Sequence, residues 1–557
     1  MIAVTAILPA FLHYVSALFR EQGICRFGGA LSIVFSFTRS KQRGCGLMDR
    51  SSLHQKRSKD DGGALPSAGL DYDRERHVDV LIIGAGFGGL CMGIKLREMG
   101  LSFILLERGS DVGGTWRDNT YPGCSCDIPS HLYSFSFKLN PGWTRSYPDQ
   151  PEILSYLKTC VDTYQLRDSI LFDTEVIEAA FDETKKIWRI RTQRQDTFTA
   201  GAVISAMGSL SRPAIPDVKG MERFAGAVFH SAQWDHSFDL AGKKVAVIGT
   251  GASAAQFIPK IASQVAKLCI FQRTAPWILP KLELQSPGWL QLMFKVVPGL
   301  QRALRGFIYL CQEVIGLGLV NPILLYPLKL LALRYLANKI ADPDLRRAAT
   351  PNFPFGCKRI ILSNNYYNAL TRKNVELVSD PIVEVRETGI VAQDQQERPF
   401  DAIILATGFR ATDLLSPLRV LGVNGADLAR VWRNGPEAFF GMTVPDFPNF
   451  FMVLGPNTLL GHNSVVFMIE AQVRYITKAL EHLRKTGCST MNLRTVAHAR
   501  FNRKLRRRTH GTVWASGCKS WYLDERGKNR TLWPDSPTRY WLRTRRFSPE
   551  DYSFASS

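Results

Sequence analysis

The stretch VDVLIIGAGFGG, residues 78–89, decides the fold of this 557-residue chain. Its apolar first half predicts a buried β-strand, its glycines predict a tight loop, and Leu90 to Met99 then reads as a helix. In this order the loop backbone approaches a pyrophosphate, and the N-terminus of the helix faces its negative charge. The sequence therefore predicts a dinucleotide site whose loop contains Gly84, Gly86 and Gly89.

The residue after the next predicted strand indicates which nucleotide this loop binds. Ser102 to Leu106 is an apolar strand that ends in Glu107, about 20 residues past the loop. A carboxylate at this position accepts hydrogen bonds from ribose hydroxyls. The first unit therefore suits an adenosine without a 2′-phosphate.

The same pattern returns with one difference. Lys244 to Ile248 runs into a second glycine loop, Gly249-Thr250-Gly251-Ala252-Ser253-Ala254, and the strand Lys267 to Phe271 ends in Gln272-Arg273-Thr274. A carboxylate would repel a 2′-phosphate, whereas a guanidinium pairs with it at two points. The second site should therefore prefer NADPH to NADH, through Gly249, Gly251, Ser253, Ala254, Arg273 and Thr274; the alternative is that Arg273 is an ordinary surface arginine.

Two dinucleotide sites with opposite preferences imply a protein that passes a hydride from NADPH to a flavin. The fold class expected is α/β, with two Rossmann-like dinucleotide-binding domains and a helical insert. We expect a discontinuous FAD domain, residues 77–215 and 396–557, with an NADPH domain, residues 216–395, inserted into it and a helical insert at about 281–350.

Between the two glycine loops lies a string of fixed identities and spacing: Phe224, Gly226, His230, Trp234 and Asp235. It resembles the signature of the Baeyer-Villiger monooxygenases, flavoenzymes that insert one oxygen atom of O2 beside a ketone carbonyl. Asp235 stands where relatives that oxidise nitrogen and sulfur usually have Phe or Tyr. The alternative is a turn with aromatic anchors. The resemblance implies a ketone substrate and an ester or lactone product, formed through a C4a-peroxyflavin.

The resemblance also assigns site residues. It implies that Gly113-Gly114-Thr115-Trp116 and Tyr121 to Asp127 contact the flavin, that Lys358 helps bind the NADPH phosphate, and that Trp521 in a mobile control loop folds over NADP+. The FAD contacts expected beyond the glycines are Glu107, Thr115, Trp116, Asp127, Tyr133 and Val176. The charged stretch Leu523-Asp524-Glu525-Arg526 departs from the family's small residues, which puts closure of this loop in question.

Arg359 is the expected catalytic cation. Oxygen attacks a ketone only as a peroxide anion, and a guanidinium stays protonated, has a fixed planar fork and can stabilise the oxyanion that forms on the carbonyl. Asp127 is expected to orient Arg359. A solvated basic pair at Lys358-Arg359 is the alternative. His462 has two interpretations, a catalytic acid and a packing residue, and the sequence does not decide between them.

Composition limits partners and location. The net charge of +21 is spread along the chain, which favours solvated faces over a nucleic-acid site. The 11 cysteines lack metal or dithiol spacing, so reduced thiols and a cytoplasmic location are expected. Residues 1–76 are interpreted as an extension or linker, in which the apolar segment Ile2 to Phe19 leaves membrane contact open.

Three functions remain open at this stage: the ketone monooxygenase, an N- or S-oxygenase that uses the same cofactors, and a reductase or uncoupled NADPH oxidase. The apolar stretch between Lys281 and Pro351 is interpreted as the buried core of a helical subdomain, with a substrate-facing insert that touches membrane as its alternative. The sequence leaves the particular ketone and the oligomeric state undetermined.

Overall fold

A computed structural model describes residues 76–518 and 520–556; the predicted extension lies almost wholly outside them. Its strands, in chain order, are β1 Arg76–Ile83, β2 Phe103–Leu106, β3 Ile170–Leu171, β4 Val176–Asp182, β5 Ile187–Thr192, β6 Thr197–Ser205, β7 Ala227–His230, β8 Lys244–Ile248, β9 Lys267–Phe271, β10 Ile278–Leu279, β11 Ile361–Leu362, β12 Val375–Val378, β13 Ile382–Val385, β14 Gly389–Ala392, β15 Glu397–Pro399, β16 Ala402–Leu405, β17 Arg419–Leu421, β18 Phe450–Met452, β19 Cys488–Leu493 and β20 Tyr552–Ser556.

The α-helices alternate with these strands in both halves of the chain. They are α1 Phe87–Met99, α2 Thr115–Asp118, α3 Gln150–Thr163, α4 Ala252–Ile261, α5 Gly288–Val296, α6 Pro298–Val320, α7 Tyr326–Lys339, α8 Pro343–Ala348, α9 Tyr366–Leu370, α10 Leu428–Val431, α11 Val465–Thr486, α12 Thr495–Thr509 and α13 Pro537–Thr544.

The first sheet has the order β17-β4-β5-β6-β1-β2-β3, and β18 also pairs with β6. Its central strand β1 runs parallel to β2 and β6, with Ile83 opposite both Leu106 and Ser205. The carboxyl ends of these strands therefore share one edge, which is where open α/β sheets bind ligands. The first glycine loop leaves β1 at this edge and leads into α1.

The second sheet, β12-β9-β8-β16-β7, consists of parallel pairs. Its strand β8 leads through the second glycine loop into α4, as the sequence predicted. The expected domain boundary at residue 395 is wrong, because β16 pairs with β7 and β8 in this sheet. The apolar sequence of a strand indicates that the strand is buried, but it does not indicate which of the two sheets the strand joins.

Two crossing segments connect the sheets and run side by side. Pro213 and Phe409 form an antiparallel bridge, and the backbone amide of Ala214 donates to the carbonyl of Gly408 at 2.8 Å. The backbone amide of Arg410 donates to the carbonyl of Arg212 at 3.0 Å. The chain thus leaves the first sheet and returns to it through one paired ribbon.

Helices α5 to α8 form the helical insert, between β10 and β11. The interpretation as a buried subdomain core is wrong for α6, because much of its apolar surface is exposed, including Leu310 and Val314. Helix α6 is the one helix among the described residues that is long and apolar enough to cross a bilayer. An apolar helix has the same composition whether another element covers it or not, so the sequence could not separate the two cases.

Candidate active site

The first glycine loop closes tightly under a large cleft. Gly84 has φ +100°, and a Cβ there would lie 2.8 Å from the carbonyl oxygen of Ala206. A Cβ on Gly89 would lie 1.8 Å from the carbonyl oxygen of Gly84, so α1 can approach the loop only with glycine at this position. Above the loop lies a cleft that is lined by the loop itself, by the ends of β1 and β2, and by α2.

Most of the residues expected to contact FAD surround this cleft. Those that line it are Gly84, Gly86, Glu107, Thr115, Trp116, Tyr133 and Val176. The structure places Gly89 beneath the loop, and Asp127 beside Arg359. The glycine floor of the cleft, and the Glu107 carboxylate that lines it, fit a dinucleotide.

Glu107 is fixed at the end of β2 by three donors. Its carboxylate accepts hydrogen bonds from the backbone amides of Ala85 at 2.7 Å and Gly109 at 2.9 Å. It also accepts one from Arg117 Nη1 at 2.7 Å, a partner that the sequence analysis missed. A carboxylate has about four acceptor sites, so one is left for a ribose hydroxyl.

Aromatic side chains form a rigid wall of the same cleft. The indole Nε1 of Trp116 donates to the hydroxyl of Tyr133 at 3.0 Å. The ring of Phe87 packs edge-on against Tyr133, with 5.2 Å between centroids. This wall presents flat apolar surface, which suits an aromatic ring system.

The second glycine loop repeats the geometry of the first. Gly249 has φ +109°, and a Cβ there would lie 2.4 Å from the carbonyl oxygen of Ala406. Ala254 is buried at the start of α4, whereas Gly251 is exposed with open space around its Cα and Ser253 is half-buried between them. The exposed part of this loop can therefore approach a second pyrophosphate.

Two cations and a hydroxyl lie beyond the second loop. Lys358 Nζ donates to Thr274 Oγ1 at 2.9 Å and lies 4.5 Å from the centre of the Phe353 ring. Burial lowers the pKa of Lys358, and the positive charge of Arg273 lowers it further. A bound phosphate dianion would relieve this repulsion, so Arg273, Thr274 and Lys358 fit the 2′-phosphate of NADPH.

Asp127 and Arg359 form a two-point ion pair. Arg359 Nε donates to Asp127 Oδ2 and Nη2 donates to Oδ1, both at 2.6 Å. Burial alone would raise the pKa of Asp127, but the guanidinium lowers it below its usual value. Burial alone would lower the pKa of Arg359, yet Asp127 raises it, so the cation is permanent. The two side chains remain 26% and 25% exposed, which leaves the pair accessible to a reactant.

Lys281 stands close to this pair and was not predicted. Its Nζ donates to Ser125 Oγ at 3.2 Å, pairs with Glu283 at 3.0 Å and lies 5.2 Å from the centre of the Tyr147 ring. Burial and the charge of Asp127 raise the pKa of Tyr147 to about 12. This neutral phenol and the buried ammonium therefore extend the polar surroundings of Asp127.

In the expected control loop, Tyr522 reaches the site more deeply than Trp521. The indole of Trp521 is 39% exposed, whereas Tyr522 is buried with its hydroxyl beside the Arg359 guanidinium. Burial raises the pKa of Tyr522 to about 12, so its hydroxyl keeps its proton. The family motif indicated Trp521, and no motif or spacing rule indicated that Tyr522 would contact the site.

The charged part of the loop, which departs from the family pattern, has a structural role. Leu523 and Asn529 form an antiparallel bridge, and the amide of Asp524 donates to the carbonyl of Lys528 at 2.9 Å. The carboxylate of Asp524 accepts from Arg530 Nε at 2.9 Å. The charges therefore hold a short hairpin together.

His462 lies between helix α6 and the ion pair. Both ring nitrogens are buried and lack hydrogen-bond partners within the described part of the chain. A Cβ on Gly316 of α6 would lie 2.3 Å from its Nε2. Burial, with a contribution from Arg359, lowers the pKa of His462 to about 4. The imidazole is therefore neutral near pH 7, which favours the packing interpretation over the catalytic acid.

Cys357 and Cys518 form a disulfide with 6.5 Å between Cα atoms, contrary to the expectation of reduced thiols throughout. They are 161 positions apart, so no local spacing indicated the pair. Cys124 and Cys126 are free and buried, and burial raises the pKa of both thiols. These two thiols are thus held as unreactive loop residues.

Three of the five signature residues shape the turn at the edge of the second sheet. A Cβ on Gly226 would lie 2.5 Å from the carbonyl oxygen of Asp401. His230 Nδ1 accepts a hydrogen bond from the backbone amide two residues on, at 3.0 Å. Asp235 Oδ1 caps the amide two residues on, at 2.9 Å. These contacts set the path of the chain from β7 towards β8.

The two aromatic signature residues anchor that turn. Phe224 is buried in the core cluster of the second sheet. Trp234 packs on Phe257 of α4, with 5.2 Å between ring centroids. The two aromatic signature residues therefore fix the position of this turn against the second sheet and α4, the helix that follows the second glycine loop.

The same helix contacts the loop that carries Asp127. Gln256 Oε1 accepts from the hydroxyl of Tyr121 at 2.9 Å, and its Nε2 donates to the carbonyl of Ser125 at 2.9 Å. A Cβ on Gly123 would approach the carbonyl oxygen of Gln256 to 3.0 Å. This junction positions the Asp127 loop against the second sheet's helix. Two strand, glycine loop and helix units, with an arginine of the second unit's Lys358-Arg359 segment paired to Asp127 of the first, define an oxidoreductase that binds two dinucleotides.

Comparisons with known proteins agree with this class. Residues 81–286 match the family described as pyridine nucleotide-disulphide oxidoreductase. A Baeyer-Villiger monooxygenase of Pseudomonas aeruginosa is 45% identical over 486 residues, which covers 86% of this chain and 92% of that protein. A Baeyer-Villiger monooxygenase of Streptomyces coelicolor is 44% identical over 480 residues, with the same two coverages.

Solved structures agree as well. An oxidised steroid monooxygenase bound to NADP has a TM-score of 0.79 at 31% identity, covering 86% of this chain and all (100%) of that one. Closed cyclohexanone monooxygenase has a TM-score of 0.77 at 26% identity, covering 87% and 100%. The chain therefore belongs to the Baeyer-Villiger monooxygenase family. The resemblance and the two-domain α/β fold class are confirmed.

Proposed function

We propose that this chain binds FAD and uses NADPH and O2 to convert a ketone to an ester or lactone. The observation that carries the proposal is the two-point Asp127–Arg359 pair, which holds a permanent cation between a loop of the first nucleotide unit and the segment that carries Lys358. Membership of the Baeyer-Villiger family supports the reaction. The substrate is a small molecule that reacts together with O2.

Each group of residues has a proposed task. Gly84, Gly86, Glu107, Thr115, Trp116, Tyr133 and Val176 hold FAD, while Gly249, Gly251, Ser253, Ala254, Arg273, Thr274, Lys358 and Trp521 hold NADPH. Bound FAD supplies the redox chemistry that activates O2. Arg359 stabilises negative charge on oxygen, including the charge that develops on the carbonyl oxygen of the ketone. Asp127 fixes the plane of the guanidinium and moderates its charge.

The surroundings keep the arginine charged and limit competing proton transfer. The pKa of Tyr522 is raised and that of His462 is lowered, both chiefly by burial, so both side chains are neutral near pH 7. Neither side chain therefore carries a positive charge that would attract an anion in place of Arg359. Bound FAD, NADPH and ketone would displace water from the exposed side of the pair, which would strengthen every charge interaction there.

The test is product analysis of the purified protein with NADPH, isotopically labelled O2, a panel of ketones and one thioether. An ester or lactone that carries one labelled oxygen atom is expected. Sulfoxide as the sole product would assign the chain to the N- and S-oxygenases. Hydrogen peroxide equal to the NADPH consumed, without organic product, would leave an uncoupled oxidase.

A further inference from the structure

Most of the large apolar side chains that the described chain exposes fall between residues 289 and 330. They lie on α5, on α6, on the short turn before α7 and at the start of α7, which follow one another in the chain. We define the insert face as Trp289, Leu292, Val296, Leu310, Val314, Leu317, Ile323, Leu324 and Tyr326. Ile323 is 80% exposed and Val296 is 71% exposed. Apolar surface of this extent is rare on a soluble monomer and marks an interaction site.

Most of the charged side chains around this face are basic. Between residues 288 and 339 the basic side chains are Lys295, Arg302, Arg305, Lys329, Arg334 and Lys339, and the acidic one is Glu313. Glu313 and Arg305 are both engaged inside the protein, where Glu313 accepts from Thr538 Oγ1 at 2.9 Å and Arg305 Nη1 donates to the carbonyl of His131 at 3.0 Å. Lys295 and Arg302 are exposed beside the apolar side chains. A partner with an apolar interior and negative surface groups would match both properties.

We infer that the insert face docks on the surface of an anionic lipid bilayer, independently of the oxygenation reaction. Apolar side chains would enter the boundary of the acyl chains, while the basic residues meet lipid phosphates. Trp289 and Tyr326 have the amphipathic rings that favour this interface. A twofold contact between two copies would instead bring the same basic residues opposite one another.

The other side of α6 packs against the protein, which favours peripheral docking over a helix that crosses the bilayer. Cβ atoms on Gly316 and Gly318 would lie 2.3 Å from His462 Nε2 and 2.5 Å from Leu325 Cδ2. Leu319 is buried in a core cluster that also contains Cys357. Insertion across a bilayer would pull these contacts apart, whereas peripheral docking uses the side that is already exposed.

The experiment is flotation of the full chain with vesicles of phosphatidylcholine alone or mixed with phosphatidylglycerol. The test variant combines Leu310→Glu, Val314→Glu and Leu317→Glu on the exposed side of α6. Val496→Glu on α12 is the matched control, because this side chain is 76% exposed on another helix. We expect wild type and control to float with anionic vesicles, and the triple variant to bind roughly tenfold more weakly or worse. High salt should weaken wild-type binding.

Retained flavin absorbance and turnover of a water-soluble ketone show that each variant is folded, and keep this test separate from that of the proposed function. Equal flotation of the triple variant and wild type would overturn the inference, since another segment would then bind the lipid. Absence of wild-type flotation would also overturn it. If light scattering instead showed a dimer that the triple variant dissociates, the occupant of the face would be a second copy.

Discussion

Arg359 and Asp127 lie 232 positions apart in the chain and share two hydrogen bonds of 2.6 Å. Asp127 lies in the loop before α3, and Arg359 lies two residues before the start of β11. The pair forms only when the loop of the first nucleotide unit meets the segment that follows the helical insert. The orientation of the proposed catalytic cation and the packing of these two segments therefore depend on the same ion pair.

Arg359→Ala is expected to separate flavin reduction from oxygen transfer. NADPH should still bleach the flavin's visible absorbance under anaerobic conditions, because the nucleotide contacts lie on other residues. Ester formation should fall by about 100-fold or more, as when a donor to a developing oxyanion is removed, and hydrogen peroxide should appear instead. Arg347→Ala is the control, since this side chain is 79% exposed. Normal ester yield from Arg359→Ala would remove the catalytic assignment.

Asp127→Asn should change the acid stability of the protein. The folded protein lowers the pKa of Asp127, so the ion pair adds stability above the unfolded pKa of about 3.9, and this contribution is lost as pH falls through the folded value. Between about pH 6 and about pH 3 the wild-type Tm should fall further than that of Asp127→Asn. Parallel Tm curves for the two proteins would contradict the predicted linkage.

Arg273→Ala and Lys358→Ala should weaken NADPH binding and leave NADH binding nearly unchanged. Each removes a charged hydrogen bond to the 2′-phosphate, worth about 10- to 100-fold in KM. Steady-state kinetics with both nucleotides measures the preference directly. An equal rise in the KM for NADH would show that the residues support the fold of the site and do not read the phosphate.

Tyr522→Phe should lower the fraction of NADPH oxidation that yields ester by about two- to tenfold, the usual worth of one hydrogen bond. The hydroxyl stands beside Arg359, keeps its proton and lacks a hydrogen-bond partner among the described residues, so it is free to donate to an oxygen atom that the guanidinium holds. The comparison is Trp521→Phe, which changes a half-exposed side chain. If only Trp521→Phe altered the coupling ratio, Tyr522 would be a packing residue.

Local patterns predicted the parts of the fold that depend on local physics. Both strand, loop and helix units lie where the glycines indicated, and Glu107 and Arg273 lie at the ends of equivalent strands. The proximity of Asp127 and Arg359 was expected from family resemblance alone, because no spacing rule joins residues so far apart.

The features that the sequence analysis missed join residues that are far apart in the chain. The sheet that receives β16, the Cys357–Cys518 bond and the approach of Tyr522 to Arg359 are all set by tertiary packing. Helix α6 shows the reverse problem, since its apolar composition predicted burial and its surface is open. Propensity and periodicity describe an element, and they do not identify its neighbour.

The paired ribbon of Pro213 and Phe409 also has a mechanical consequence. Two crossings that are hydrogen-bonded side by side resist shear and extension, and they bend most easily in one direction, out of the plane of the ribbon. Any rotation of one nucleotide half against the other would therefore have to bend this ribbon. The same rotation would have to break the hydrogen bond from Gln256 Nε2 to the carbonyl of Ser125, which joins the two halves.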